Sequence, residues 1–94
     1  MQMQQTYIIM LVDDDAVIRD IARVLLESEW FTVVEASDGE SALAAFSSDI
    51  DLVILDIIMP GLSGYQVCQH LREFSNVPIL FLTAKSTLTG YCCK

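Results

Sequence analysis

Four short apolar runs, each stopping at polar or acidic residues, set the terms on which this chain can fold. They occupy residues 7–12 (YIIMLV), 31–36 (FTVVEA), 51–55 (DLVIL) and 79–82 (ILFL). All are too short for helices, and their β-branched residues suit buried strands. Strands that are apolar at successive positions, rather than at every second one, are covered on both faces, as in parallel sheets. Amphipathic stretches lie between them. After Asp13-Asp14-Asp15, the residues Ile18, Ile21, Ala22, Leu25 and Leu26 recur at helical spacing, with Arg19, Asp20, Arg23 and Glu27 facing away. Ser37-Asp38-Gly39 is a turn with capping residues ahead of a short helix over 40–46. Ser63-x-x-Gln66 is a capping box that opens a third helix through Val67, Cys68 and Leu71 to about Phe74. Pro78 bars further helix and introduces the fourth strand. The order is βαβαβαβ, which right-handed crossovers turn into an open α/β sheet with helices on both sides. No repeat, low-complexity tract or linker interrupts the 94 residues, so residues 1–94 are expected to form a single domain.

Charge and composition then exclude several roles. Thirteen Asp and Glu against five Lys and Arg leave a formal charge of −8. Such a surface repels phosphate backbones and argues against direct binding of nucleic acid. No apolar stretch approaches the roughly 18 residues of a membrane span. The opening residues, Met1-Gln2-Met3-Gln4-Gln5, lack the basic side chains of a secretory signal. The cysteines, Cys68, Cys92 and Cys93, are odd in number and without C-x-x-C spacing. They fit neither a zinc ribbon nor a disulfide framework and suit a reducing, cytoplasmic setting. Cys68 is expected in the core and the other two in an inert tail.

The acids are placed suggestively. Ligands of an open parallel sheet bind beyond the carboxyl ends of its strands, where strand order reverses. Asp13 and Asp14 follow the first strand, Asp56 the third and Thr83 the fourth. If the first and third strands are neighbours, three carboxylates share one crevice, and like charges that close cost several kcal/mol unless a cation or protons offset them. Ligation by a few carboxylates and water suits Mg²⁺. Asp15 is expected instead to cap the helix that starts at Ala16.

Four segments, LVDDD (11–15), VVEASDGESAL (33–43), DLVILDIIMPGLSGYQV (51–67) and VPILFLTA (77–84), together carry a resemblance. Over residues 8–84 the chain resembles the receiver domain of two-component response regulators. The resemblance implies a flavodoxin-like (CheY-like) doubly wound parallel sheet, of order 2-1-3-4 here. It implies that Asp56 accepts a phosphoryl group from a phosphohistidine of a sensor histidine kinase. Asp13, Asp14, Asp56 and the backbone carbonyl of Ile58 would hold Mg²⁺. Thr83 would bond a phosphoryl oxygen, and Ala84 would leave room for it. A module of this kind switches between two states and is no dedicated enzyme, with at most weak Mg²⁺-dependent autophosphotransfer and self-dephosphorylation.

Departures from the family lie near the C-terminus. Residues 85–94 are atypical, and the fifth strand–helix unit, with its phosphate-binding lysine, has no counterpart; neither Lys85 nor Lys94 matches that motif. Such a truncated receiver is expected to switch poorly. It is also expected to self-associate, through a bare fourth-strand edge or an exchanged segment around 84–94. Trp30 stands where the family usually has glycine and is expected to pack, with Phe31, over the end of the first helix. His70 is expected to be solvated. The alternative is a receiver-fold dimerisation or binding module that no longer signals. A Mg²⁺-dependent phosphohydrolase fits less well, because Ile58 stands where such enzymes carry a second acid. A dinucleotide or flavin binder lacks its Gly-rich loop.

Overall fold

The computed structural model describes residues 6–82 and the strand at 88–89. Its elements follow the expected alternation: β1 (Ile8–Val12), α1 (Ala16–Ser28), β2 (Thr32–Ala36), α2 (Gly39–Ala45), β3 (Leu52–Asp56), α3 (Gly64–Arg72) and β4 (Ile79–Leu82). The four strands are parallel in the order β2-β1-β3-β4. Val12, the last residue of β1, lies opposite Ala36 on one side and Leu55 on the other. The expectation of a sheet ending at a bare β4 needs correction. A two-residue strand, β5 (Leu88–Thr89), runs antiparallel to β4 and pairs Thr89 with Phe81 and Leu88 with Leu82.

One face of the sheet holds the core. Met10, Val12, Val53, Leu55, Ile79 and Phe81 pack there with Ala42 of α2 and with Val67, Cys68 and Leu71 of α3. Both helices start on capping boxes, Asp38 with Ser41 and Ser63 with Gln66, which satisfy amides that the first turn leaves unpaired. At the far end of α3, the Arg72 guanidinium donates to the carbonyls of Ser75 (3.1 Å) and Val77 (2.7 Å), fixing the approach to Pro78 and β4. Cys68 is buried, as expected. It is also disulfide-bonded, contrary to the reading of the cysteines as unpaired, and its partner lies outside the described residues.

The other face carries α1, and here the sequence reading is overturned. No residue of α1 is buried. The helix turns Arg19, Ala22, Arg23 and Leu26 toward the sheet, while Ile18, Ile21 and Leu25, expected in the core, are 46%, 54% and 63% exposed. The reason is Glu35. It stands on the α1 side of β2 and takes ion pairs from Arg19 Nε (3.1 Å) and Arg23 Nε (3.2 Å), so the basic side of the helix is drawn inward.

Trp30 does not pack over the helix end either; it is 74% exposed. It sits just past α1 at φ 72°, in the left-handed region. The Phe31 amide bonds the Leu26 carbonyl (3.2 Å) and the Trp30 amide bonds the Glu27 carbonyl (3.0 Å), the double bond pattern of a Schellman cap. The position therefore has a glycine's geometry, and a bulky side chain there costs about 1 kcal/mol or more. Trp30→Gly is expected to stabilise the chain by about 1 kcal/mol, seen as a rise of several degrees in thermal midpoint. An unchanged or lower midpoint would show that the indole has a contact the exposed geometry does not suggest.

Candidate metal centre at the carboxyl edge of the sheet

Three successive aspartates leave β1, and the backbone gives each a different role. The Asp13 amide still bonds the Ala36 carbonyl (3.2 Å), which extends the ladder by one residue and holds Asp13 at the strand end, only 4% exposed. Its Oδ1 accepts from the Asp15 amide (2.9 Å), the local turn that short acidic side chains favour. Its carbonyl accepts from Arg19 Nη1 (2.8 Å). Asp15 caps α1 as expected, accepting from Val17 (2.9 Å) and Ile18 (3.3 Å). Asp14 lies between them and is exposed.

Asp56 ends β3, opposite Leu82 of β4, and is half-buried. Its Oδ1 accepts from the Ile58 amide (3.2 Å). The loop after it is drawn tight against the strand: Ile57 donates to the Leu82 carbonyl (3.1 Å) and accepts from the Gly64 amide (2.9 Å). A Cβ on Gly64 would lie 2.4 Å from the Asp56 carbonyl oxygen and 2.8 Å from Ile57 Cα. Only glycine lets the start of α3 approach this closely.

Because β1 and β3 are neighbours, Asp13, Asp14 and Asp56 converge, each offering a carboxylate oxygen within 4.8 Å of the others. Burial pushes the Asp56 carboxyl above its ordinary range; the Ile58 amide pulls the other way, and the charges on Asp13 and Asp14 add to the rise. Arg19 reaches the backbone of this cluster, but among the described residues no ion pair joins it to the three carboxylates. Clustered hard oxygens without a paired cation suit a divalent ion such as Mg²⁺.

The structure thus assembles three of the expected residues and sets the Ile58 amide beside them. Thr83 and Ala84 lie outside the described residues. Sequence reasoning missed two contributors. One is Arg19, expected to face solvent; the other is Gly64, whose place directly after the capping Ser63 is a visible signal of close approach.

Two consequences can be measured without metal. In the folded chain Asp56 keeps a proton at pH values where the unfolded chain has released it, so stability falls as pH rises through the ordinary carboxylate range and above. Asp56→Asn removes one like charge; in chelator it is expected to flatten that pH dependence and to stabilise the chain at neutral pH by about 1 kcal/mol. Denaturant titration at several pH values checks both. Gly64→Ala is expected to destabilise by roughly 1–3 kcal/mol through the clash with the Asp56 backbone, and to weaken divalent-ion binding as that strand end shifts. Equal stability and affinity would contradict the tight approach.

Comparison with known proteins agrees with this geometry. Residues 9–91 match the response regulator receiver domain family. An uncharacterised transcriptional regulatory protein of Bacillus subtilis, YrkP, is 51% identical over 81 residues, which span 86% of this chain and 35% of that protein. The chain spans about a third of the length of such curated relatives. Among solved structures, response regulator TrrA of Thermotoga maritima in complex with Mg²⁺-BeF is similar at a TM-score of 0.78 and 41% identity, over 83% of this chain and 70% of that one. TrrA in complex with histidine kinase ThkA gives a TM-score of 0.77 and 41% identity, over 86% and 72%. With the strand order and the acid cluster of its sheet, this match over most of its length places the chain in the response regulator receiver domain family.

Proposed function

We propose that this chain is a cytoplasmic phosphoacceptor module that takes a phosphoryl group from a sensor histidine kinase onto Asp56. The observation that carries this reading is the convergence of Asp13, Asp14 and Asp56 at the ends of two adjacent strands. The TrrA complexes with Mg²⁺-BeF and with ThkA support the metal and the donor class by likeness.

The chemistry rests on the placement of each group. A carboxylate oxygen of Asp56 forms a bond to phosphorus as the P–N bond to the donor imidazole breaks, and the imidazole takes up a proton. The Ile58 amide on Oδ1 fixes the rotation of that carboxylate, so attack starts from one orientation. Asp13, held by the Asp15 amide, and Asp14 would share with Asp56 and the Ile58 carbonyl the binding of Mg²⁺. When bound, that ion neutralises charge on the transferring phosphoryl oxygens. Thr83 would follow the new phosphoryl group through its hydroxyl, with Ala84 leaving space, and so report phosphorylation to the residues that follow β4. The chain is a substrate and switch, with at most weak autophosphotransfer and self-dephosphorylation of its own.

Mass spectrometry after treatment with a small acyl phosphate donor tests the reading. One phosphoryl group is expected on the wild type with Mg²⁺, none with chelator, and none on Asp56→Asn. Asp14→Asn is expected to slow the reaction by roughly tenfold or more. A wild type that gains no phosphoryl group would leave the chain a receiver-fold binding module that does not signal.

A further inference from the structure

We propose that Arg19 is a positioning residue for the acid cluster: anchored by Glu35, it fixes the peptide that carries Asp14 and so sets how well the carboxylates fit a small divalent ion. The proposal rests on the metal-binding part of the phosphoacceptor reading, because it concerns the same ion site. It extends that site to side chains of α1 and β2.

Asp14 is the acid that the strands hold least. Asp13 is buried and Asp56 half-buried, whereas Asp14 is exposed. β1 ends at Val12, and the ladder runs only one bond further, through the Asp13 amide. What fixes Asp14 is the peptide that joins it to Asp13. A peptide unit is planar, so anchoring its carbonyl oxygen sets the orientation of the whole plane and the start of the next residue. The Asp13 carbonyl accepts from Arg19 Nη1 at 2.8 Å. That bond closes a ring. The Asp15 amide donates to Asp13 Oδ1 (2.9 Å), the Arg19 amide donates to the Asp15 carbonyl (2.9 Å), and the Arg19 guanidinium returns to Asp13. Asp14 lies in the stretch that the ring encloses.

Arg19 is itself held in place. Its Nε donates to Glu35 Oε1 at 3.1 Å, and its side chain is only 19% exposed. Glu35 lies opposite Leu11 and precedes Ala36, whose carbonyl takes the Asp13 amide (3.2 Å). β2 therefore holds Asp13 by its amide directly and by its carbonyl through the guanidinium. The rigid fork of arginine serves both bonds at once, which a lysine ammonium on its flexible stem does not. Glu35 has a second effect. An unpaired guanidinium this close would repel a divalent ion, but beside a carboxylate its charge is largely offset.

Groups that orient metal ligands from behind are worth roughly ten- to a hundredfold in affinity. Mg²⁺ is the more sensitive ion, since it demands near-ideal octahedral geometry where Ca²⁺ accepts a flexible one. Positioning and charge therefore act in opposite directions. Loss of a cation alone raises the affinity for both ions; a loosened Asp14 lowers the affinity for Mg²⁺ and largely spares Ca²⁺.

Competition of Mg²⁺ and of Ca²⁺ against Mn²⁺, followed by the spin resonance of free Mn²⁺, measures both affinities on the full chain. Arg19→Gln is expected to lower Mg²⁺ affinity by roughly tenfold and Ca²⁺ affinity by about twofold at most. Arg19→Lys, which keeps the charge, is expected to do nearly the same. Arg23→Gln, which removes another partner of Glu35, leaves the ratio of the two affinities unchanged. Circular dichroism shows whether each variant folds; if Arg19→Gln does not, Arg19→Lys decides by the same ratio. No change in a folded variant, an equal fall for both ions, or a rise in either affinity would overturn the proposal. A wild type that holds neither ion overturns the phosphoacceptor reading with it. A wild type that binds Mg²⁺ and shows the shifted ratio supports the proposal even where no phosphoryl group is gained, so the two readings fail separately.

Discussion

The side-by-side parallel pairing of β1 and β3 is the constraint on which the rest of this molecule depends. In that register Val12 and Leu55 are level, so the chain leaves both strands at the same edge, and the residues just beyond them must share one space. Those residues are Asp13 and Asp14 on one side and Asp56 on the other. Their like charges repel at these separations. The repulsion does not separate them, because the ladder bonds and the buried aliphatic residues of β1 and β3 commit the backbone first. The cluster is a local cost held in place by the fold, and Asp56, raised by burial and by its neighbours, is where that cost shows.

Around this edge the backbone, more than the side chains, sets the geometry. Asp13 is held by the Ala36 carbonyl, the Asp15 amide and Arg19; Asp56 by the Ile58 amide and by a loop tied at Ile57 to both Leu82 and Gly64. The two strands that flank β1 and β3, β2 through Ala36 and β4 through Leu82, therefore each contribute a bond to the site. The Ile57–Leu82 bond ties the loop after Asp56 directly to the end of β4.

Much of this was legible in the sequence, for identifiable reasons. Unbroken runs such as IIMLV and LVIL fix strands and their burial; Ser63-x-x-Gln66 and Asp15 announce helix starts; and acids placed after strands point to the carboxyl edge. The adjacency of β1 and β3 was not legible from periodicity alone and came with the family resemblance. A glycine directly after Ser63 signals a close approach, but not to which atoms: the Asp56 carbonyl and Ile57 Cα lie at the end of another element. β5 was hidden because two residues are too few to show a period.

The misreading of α1 shows where periodicity stops being informative. A hydrophobic stripe identifies a helix and its two sides, but it does not say which side meets the sheet. That choice belongs to the sheet, and here Glu35 decides it. A carboxylate on the helix side of β2 asks for cations above it, and Arg19 and Arg23, one turn apart, supply them together with Asp20 and Glu27 as outer partners of Arg23. Single surface ion pairs are weak, but a linked set that also ties Arg19 to the Asp13 carbonyl can fix the rotation of one helix. The same contact that orients α1 thus reaches the metal-binding edge. The aliphatic stripe on the outside is a consequence of a polar contact made beneath it, and the core formed with α2 and α3 on the other face does not require that stripe to be buried.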